Sequence, residues 1–362
     1  MGLLDYYRQF DDLSEEEVNR GLRARSAREK AVALERVSEL DLAGTEWPDF
    51  PDAEVMNAAI FAARGNVNGY PDRAATVVRE ALAERHGVDL ERIAFGNGST
   101  ELLQAAALRL LREDDELVTP WPSYPLYPLM AHAAGARPVP VESVAAIGEA
   151  VGPRTRIVAL CNPNDPTGTY TPAAIIEELA ASLPEHVHLL VDEAYVQFQD
   201  VEPADAVLRL TDSHPRVIVF RTFSKIYGLS GLRAGYAVGS SEAGPLLAAI
   251  APVLGVNALT QAGVAHALKI GDPEITRRRD LVIEQRARLL AVMPRTAIDA
   301  QPSEANFLRM SSGGLSGAEL SARLLRQGIR VAHGEHIGEH RVRVAIRGAA
   351  ATGRLITALE TF

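Results

Sequence analysis

Thr222-Phe-Ser-Lys-Ile-Tyr-Gly-Leu-Ser-Gly-Leu-Arg-Ala-Gly-Tyr236 follows an apolar run, Val217-Ile-Val-Phe220, that reads as a strand. Lys225 therefore sits just beyond a strand end, flanked by hydroxyls and glycines, with Arg233 eight residues on. A lysine in a glycine-rich loop is by default a surface residue. Here Thr222, Ser224 and Arg233 supply donors for an anion beside it. Burial or neighbouring cations would leave its amine free for Schiff-base chemistry.

Two further segments weigh against the default. Ala159-Leu-Cys-Asn-Pro-Asn-Asp-Pro-Thr-Gly168 reads as a strand, Arg156 to Leu160, running into a turn stiffened by Pro163 and Pro166. Val187-His-Leu-Leu-Val-Asp-Glu-Ala-Tyr195 reads as a short buried strand ending in Asp192, with Tyr195 three residues on. Consecutive parallel strands then deliver Asn164 and Asp165, next Asp192 and Tyr195, next Ser224 and Lys225, at their carboxyl ends. In open α/β sheets that edge is where ligands bind. Gly96-Asn-Gly-Ser-Thr-Glu101, ahead of Leu102-Leu103, opens a helix whose unpaired N–H groups suit a phosphate. It is not a dinucleotide fingerprint, because the third glycine is missing.

On these segments the chain resembles the fold-type-I pyridoxal-phosphate aminotransferases of class I/II, and among them the histidinol-phosphate aminotransferase group, from about Leu42 to the C-terminus. The resemblance implies an α/β fold: a large domain with a mostly parallel, doubly wound sheet that binds pyridoxal 5′-phosphate, and a smaller α+β domain. It implies that Lys225 bonds covalently to the cofactor aldehyde and then moves the proton at the substrate carbon. Asp192 would pair with the ring nitrogen, Tyr195 would hydrogen-bond the phenolic oxygen, and Tyr124 would stack on the ring. Ser99, Thr100, Thr222, Ser224 and Arg233 would hold the phosphate. Tyr70 would reach the cofactor phosphate of a neighbouring subunit, so the resemblance implies a homodimer with shared active sites.

Arg341-Val-Arg-Val-Ala-Ile-Arg347 puts three arginines on one strand face. Matched to the family's Arg-Val-Thr-Val-Gly pattern, Arg343 becomes the substrate-anion arginine, able to grip a carboxylate or phosphate through two hydrogen bonds. Several positions depart from the family. Asp165 replaces the usual Asn before Pro-Thr-Gly. A carboxylate there cannot donate to a phenolate, so either it carries a proton or it turns away and Asn164 or water takes the role. Thr45-Glu-Trp-Pro48 replaces Asn-Glu-Asn-Pro, and Trp47 lines a pocket for an aromatic substrate or serves as a buried structural residue. Ala332 stands where relatives carry a pocket arginine, and Arg347 where they carry glycine. His333 and His336 have HxxH spacing in a glycine-rich loop, and no metal is expected.

With 362 residues, 47% apolar and 23% charged, the chain has ordinary globular composition. A net charge of −10 argues against non-specific nucleic-acid binding. Cys161 is the single cysteine, so no internal disulfide forms. Neither a signal-like segment nor a membrane-length apolar run is present, which predicts a cytoplasmic protein. Residues 14–37 read as one charged helix with Ser14 and Glu17 at capping-box spacing. The expected division is an N-terminal arm over 1–45, a cofactor-binding domain over 46–270 and a small domain over 271–362. The small domain is expected to hold strands at 305–310, 329–332 and 342–346. The expected activity is transfer of an amino group between a small amino donor and a 2-oxo acid such as 2-oxoglutarate. Histidinol phosphate is the first donor and an aromatic amino acid the second; a decarboxylase or lyase on the same scaffold is the alternative.

Overall fold

The computed structural model describes residues 38–362, together with residues 16, 20, 21 and 23–26 of the preceding arm. Those arm residues are helical; the rest of the helix expected over 14–37, with its Ser14–Glu17 cap, lies outside the described residues.

Thirteen strands follow in the described chain: β1 Leu40–Asp41, β2 Ile93–Gly96, β3 Glu116–Pro120, β4 Arg137–Val141, β5 Thr155–Cys161, β6 His188–Asp192, β7 Val217–Thr222, β8 Gly235–Val238, β9 Ile298–Ala300, β10 Phe307–Ser312, β11 Ile329–Arg330, β12 Ala332–His333 and β13 Val342–Ala345. Seven form one sheet in the order β2-β8-β7-β6-β5-β3-β4. Only β8 runs against its neighbours β2 and β7; the other pairs are parallel. Strands buried on both faces need apolar side chains at successive positions, and the central stretches of β5 and β7 have them. In β5, Ile157 and Ala159 face one core while Val158 and Leu160 face the other; Ile218 and Phe220 of β7 alternate with Val217 and Val219 in the same way.

The C-terminal sheet has the order β12-β13-β10-β9 and is antiparallel throughout. The sequence run at 329–332, expected as one strand, is divided. Ile329 and Arg330 pair in parallel with β1, and Ala332 and His333 pair with β13. The chain after β1 continues as a strap over this unit. Leu42 N bonds to the Arg330 carbonyl and the Leu42 carbonyl accepts from Ala345 N. Leu42 and Trp47 are buried in the core that contains Phe307, Val342, Val344 and Leu355. Tyr195 and Ile226, from the loops after β6 and β7, join that core too, so the strap and the sheet edge meet in one place. Among the described residues no helix is long and apolar enough to cross a membrane.

Candidate active site

The carboxyl ends of β5, β6 and β7 open into a cavity of about 360 Å³. Its walls include Cys161, Asp165, Asp192, Tyr195, Thr222, Ser224 and Lys225 from those strand ends, with Ser99, Thr100 and Tyr124 from the N-terminal side. Arg233 closes one end, Arg343 the other, and Thr45 and Glu46 of the strap form the roof.

The Arg233 end is built for an anion. The helix Ser99–Leu110 begins there with no side chain capping it, so its first N–H groups remain available. Gly98 ahead of it has φ 94, which a side chain would strain, and a Cβ there would lie 2.8 Å from Arg233 Nη2. Arg233 itself adopts a left-handed conformation, φ 52. Its guanidinium donates to Ser224 Oγ at 3.4 Å and the Ser230 carbonyl at 3.0 Å. Thr222 Oγ1 donates to Ser224 Oγ at 3.0 Å. Ser230 also lines this cup, one hydroxyl more than the motif suggested.

At the floor, Tyr127 donates its hydroxyl to Asp192 Oδ2 at 3.2 Å, while Asp192 Oδ1 is buried with no partner. Burial pushes the Asp192 carboxyl up to about 7. A buried carboxylate oxygen without a donor implies that something cationic belongs against it. Beside it, burial lowers the Lys225 ammonium from its ordinary range, in the direction a nucleophilic amine requires.

From Lys225 a directional hydrogen-bond chain crosses the roof. Lys225 Nζ donates to Thr45 Oγ1 at 2.6 Å, and Thr45 Oγ1 lies 3.0 Å from Tyr195 OH. The Tyr195 hydroxyl donates to Asp165 Oδ2 at 2.9 Å, so Thr45 donates to Tyr195. Asp165 ends the chain in an ion pair: Arg343 Nη1 lies 2.6 Å from Oδ1 and 2.7 Å from Oδ2. Burial is the largest single influence on the Arg343 guanidinium and works to lower it, but the charge and hydrogen bond of Asp165, with Tyr195 and Glu46, together outweigh it and the net shift is upward.

Asn164 does not join the cavity. Its amide donates to the Pro122 carbonyl at 3.0 Å and Thr167 Oγ1 at 2.8 Å, and its Oδ1 accepts from Ser123. The turn therefore aims Asp165 inward and Asn164 away, which corrects the cofactor contact expected for Asn164. Trp47 is a second correction. It is buried in the core rather than in the cavity wall, its indole N–H reaches Asp49, and the Arg278 guanidinium lies 4.8 Å from its ring centroid. Tyr70 lies outside the cavity and is 80% exposed.

Arg347, without an assigned role in the sequence, clamps the strap: it donates to the Gly44 and Glu46 carbonyls and pairs with the Glu46 carboxylate. Asn306 Nδ2 adds a bond to the Thr45 carbonyl at 2.8 Å. Thr45, Glu46, Cys161, Ala194 and Ser230 line the cavity although the motifs did not single them out. Pyridoxal 5′-phosphate fits what is present: an amine beside it, an orphaned carboxylate oxygen below it and a donor-rich cup at one end.

Comparison with known proteins agrees. The model of the family "Aminotransferase class I and II" matches residues 38–359. An aromatic amino acid aminotransferase of Corynebacterium jeikeium is 38% identical over 320 residues, 84% of each chain. A histidinol-phosphate aminotransferase of Nitrosococcus oceani is 34% identical over 328 residues, 88% of each chain. Among solved structures, the histidinol-phosphate aminotransferase of Sinorhizobium meliloti in complex with pyridoxal 5′-phosphate is 25% identical with a TM-score of 0.79, covering 92% of this chain and 93% of that one. The chain belongs to the class I and II aminotransferases and is a pyridoxal-phosphate-dependent enzyme.

Proposed function

We propose that this aminotransferase takes an aromatic amino acid as donor and a 2-oxo acid as acceptor. One observation carries the choice over histidinol phosphate. At the substrate end of the cavity Arg343 is the arginine present, and Asp165 already neutralises it. Ala332 stands where the family resemblance leads one to expect a second arginine. A doubly charged phosphate ester would find little positive charge to compensate it, whereas a single carboxylate needs only one guanidinium. The C. jeikeium relative supports the same reading.

Pyridoxal phosphate, when bound, supplies a ring that draws electrons from the substrate carbon. The chain's own residues do the rest. Lys225 is the covalent attachment point and, once released, the base and acid at that carbon. Asp192 would keep the ring nitrogen protonated, with its unpartnered Oδ1 available for that contact. Ser99, Thr100, Ser224, Ser230 and Arg233 hold the phosphate; Thr222 orients Ser224 through their hydroxyl bond. Tyr195, whose hydroxyl donates to Asp165 in this structure, would turn that proton to the phenolic oxygen when the cofactor is bound, and Tyr124 would cover a ring face.

We further propose a cytoplasmic homodimer in which Tyr70 serves the partner's site. Its exposure, together with that of Phe50, Phe61, Val67 and Val253, supports a surface that a second copy covers. Sedimentation should give twice the 39.0 kDa chain mass; a monomer would remove that part. Donor choice is tested by mixing the holoenzyme with phenylalanine, tyrosine or histidinol phosphate and following the cofactor absorbance. Aromatic donors should convert it at least about tenfold faster. Faster conversion by histidinol phosphate would overturn the assignment.

A further inference from the structure

Asp165 occupies the place where a ligand carboxylate meets Arg343. Both its oxygens lie on Arg343 Nη1, and Arg343 Nη2 is engaged by the Ala43 carbonyl at 3.2 Å. The Asp165 side chain is 7% exposed and that of Arg343 15%, so neither charge is left to bulk water. An anionic ligand must share or displace this pair. Two carboxylates would then face one guanidinium at a position little exposed to water, an arrangement in which one of them takes up a proton.

The other groups around Asp165 do not relieve that conflict. Tyr195, from the loop after β6, donates a neutral hydroxyl to it. Asp192 from β6 is a further acid, and Cys161 at the end of β5 and Tyr124 are held neutral as burial pushes their acid forms up. His336, in the loop between β12 and β13, is disfavoured as a cation by burial and by Arg343. Lys225 is the second cation near it, and its ammonium is lost once it bonds to the cofactor.

We propose that Asp165 makes carboxylate binding at Arg343 proton-linked: an anionic ligand enters with uptake of one solvent proton onto the Asp165 carboxyl, and a ligand uncharged at that end binds without it. Asp165 would thereby set selectivity by pH, accepting carboxylate substrates most readily on the acid side. The proposal rests on the reading of Arg343 as the carboxylate clamp.

Calorimetric titration of the holoenzyme with 3-phenylpropionate, in two buffers of different ionisation enthalpy, counts the protons directly. Wild type should take up about one proton across the range from about pH 6.5 to about pH 8.5, with Kd rising roughly tenfold per pH unit. 3-Phenylpropan-1-ol should bind with a flat profile. Asp165→Asn should abolish the uptake and flatten the carboxylate profile. Uncoupled carboxylate binding by wild type, or an unchanged slope in Asp165→Asn, overturns the proposal while leaving the clamp intact. Arg343→Gln separates the two ideas. If it binds 3-phenylpropionate as wild type does, or if neither wild type nor Asp165→Asn binds it, the clamp reading fails and the proposal falls with it.

Discussion

Thr45→Val isolates the contact that the strap makes with the reactive amine. Valine keeps the shape of threonine, so the buried position stays filled. Tyr195 keeps its donation to Asp165 at 2.9 Å and loses only an incoming bond. What disappears is the acceptor 2.6 Å from Lys225 Nζ. A hydrogen bond to a charged donor is worth ~1.5–3 kcal/mol. Lys225 borders an open cavity, so water recovers part of that and the net loss is about 1 kcal/mol. That bond favours the ammonium over the free amine, so its removal lowers the lysine pKa further, by about 0.7 unit at 1.36 kcal/mol per unit. Only the free amine attacks the cofactor aldehyde. The pH midpoint for covalent capture of pyridoxal phosphate by the apo protein should therefore move to lower pH by about that amount. Stopped-flow absorbance of the capture reaction, run across pH for both proteins, reads the midpoint. A midpoint that stays put or moves upward would show that Thr45 does not hold the ammonium form.

Lys225→Ala should leave the cofactor bound non-covalently, with no adduct retained after borohydride reduction and denaturation; mass spectrometry checks this, and a retained adduct places the Schiff base elsewhere. Asp192→Asn should change how apo-protein stability depends on pH. The unfolded chain ionises this carboxyl near 3.8 while the folded chain keeps its proton to about 7, so wild-type stability falls as pH rises through that window. The gap is worth ~4 kcal/mol at most. The variant should lose that part of the slope in denaturant titrations, keeping the part due to Glu193, which burial also pushes up to about 7. Arg347→Gly should cost about 2–4 kcal/mol, since two charged-donor bonds to strap carbonyls vanish; a loss of unfolding free energy below ~0.5 kcal/mol in denaturant titration would contradict the clamp.

The large sheet and its chemistry were legible because they are local in sequence. An apolar run followed at once by Asp192, or within a few residues by Ser224-Lys225, fixes both a strand and what its end presents. Thr45 was not legible for the opposite reason: it meets Lys225 across 180 residues, through a strap whose only strand is Leu40–Asp41. Two residues give no periodicity to read. The choice between Asn164 and Asp165 was likewise hidden, because adjacent polar residues in a turn differ only in which way the backbone aims them. Trp47 illustrates the converse. Its residue type suggested an aromatic pocket, but indole also suits a core position beside a guanidinium, and that is where it lies. No motif spacing reveals that Asp165 and Arg343, 178 residues apart, neutralise each other.

The strap links these less legible parts to one strand edge. Arg343 bonds the Ala43 carbonyl, Ala345 N bonds the Leu42 carbonyl, and Arg347 bonds the Gly44 and Glu46 carbonyls. Arg343 in β13 and Arg347, two residues beyond its end, grip consecutive parts of the strap. A glycine at 347 could offer no such grip. The position of Thr45 is thus a property of Arg347 as much as of Thr45 itself, and the two should be energetically coupled. In a double-mutant cycle, Arg347→Gly alone should lower the capture midpoint of Lys225 by releasing Thr45 from it. Added to Thr45→Val, it should lower the midpoint little further, because the contact it would disturb is already gone. Shifts that add within about 0.2 unit would mean that Arg347 affects Lys225 by another route, and the strap would then be a structural tie with no influence on the amine.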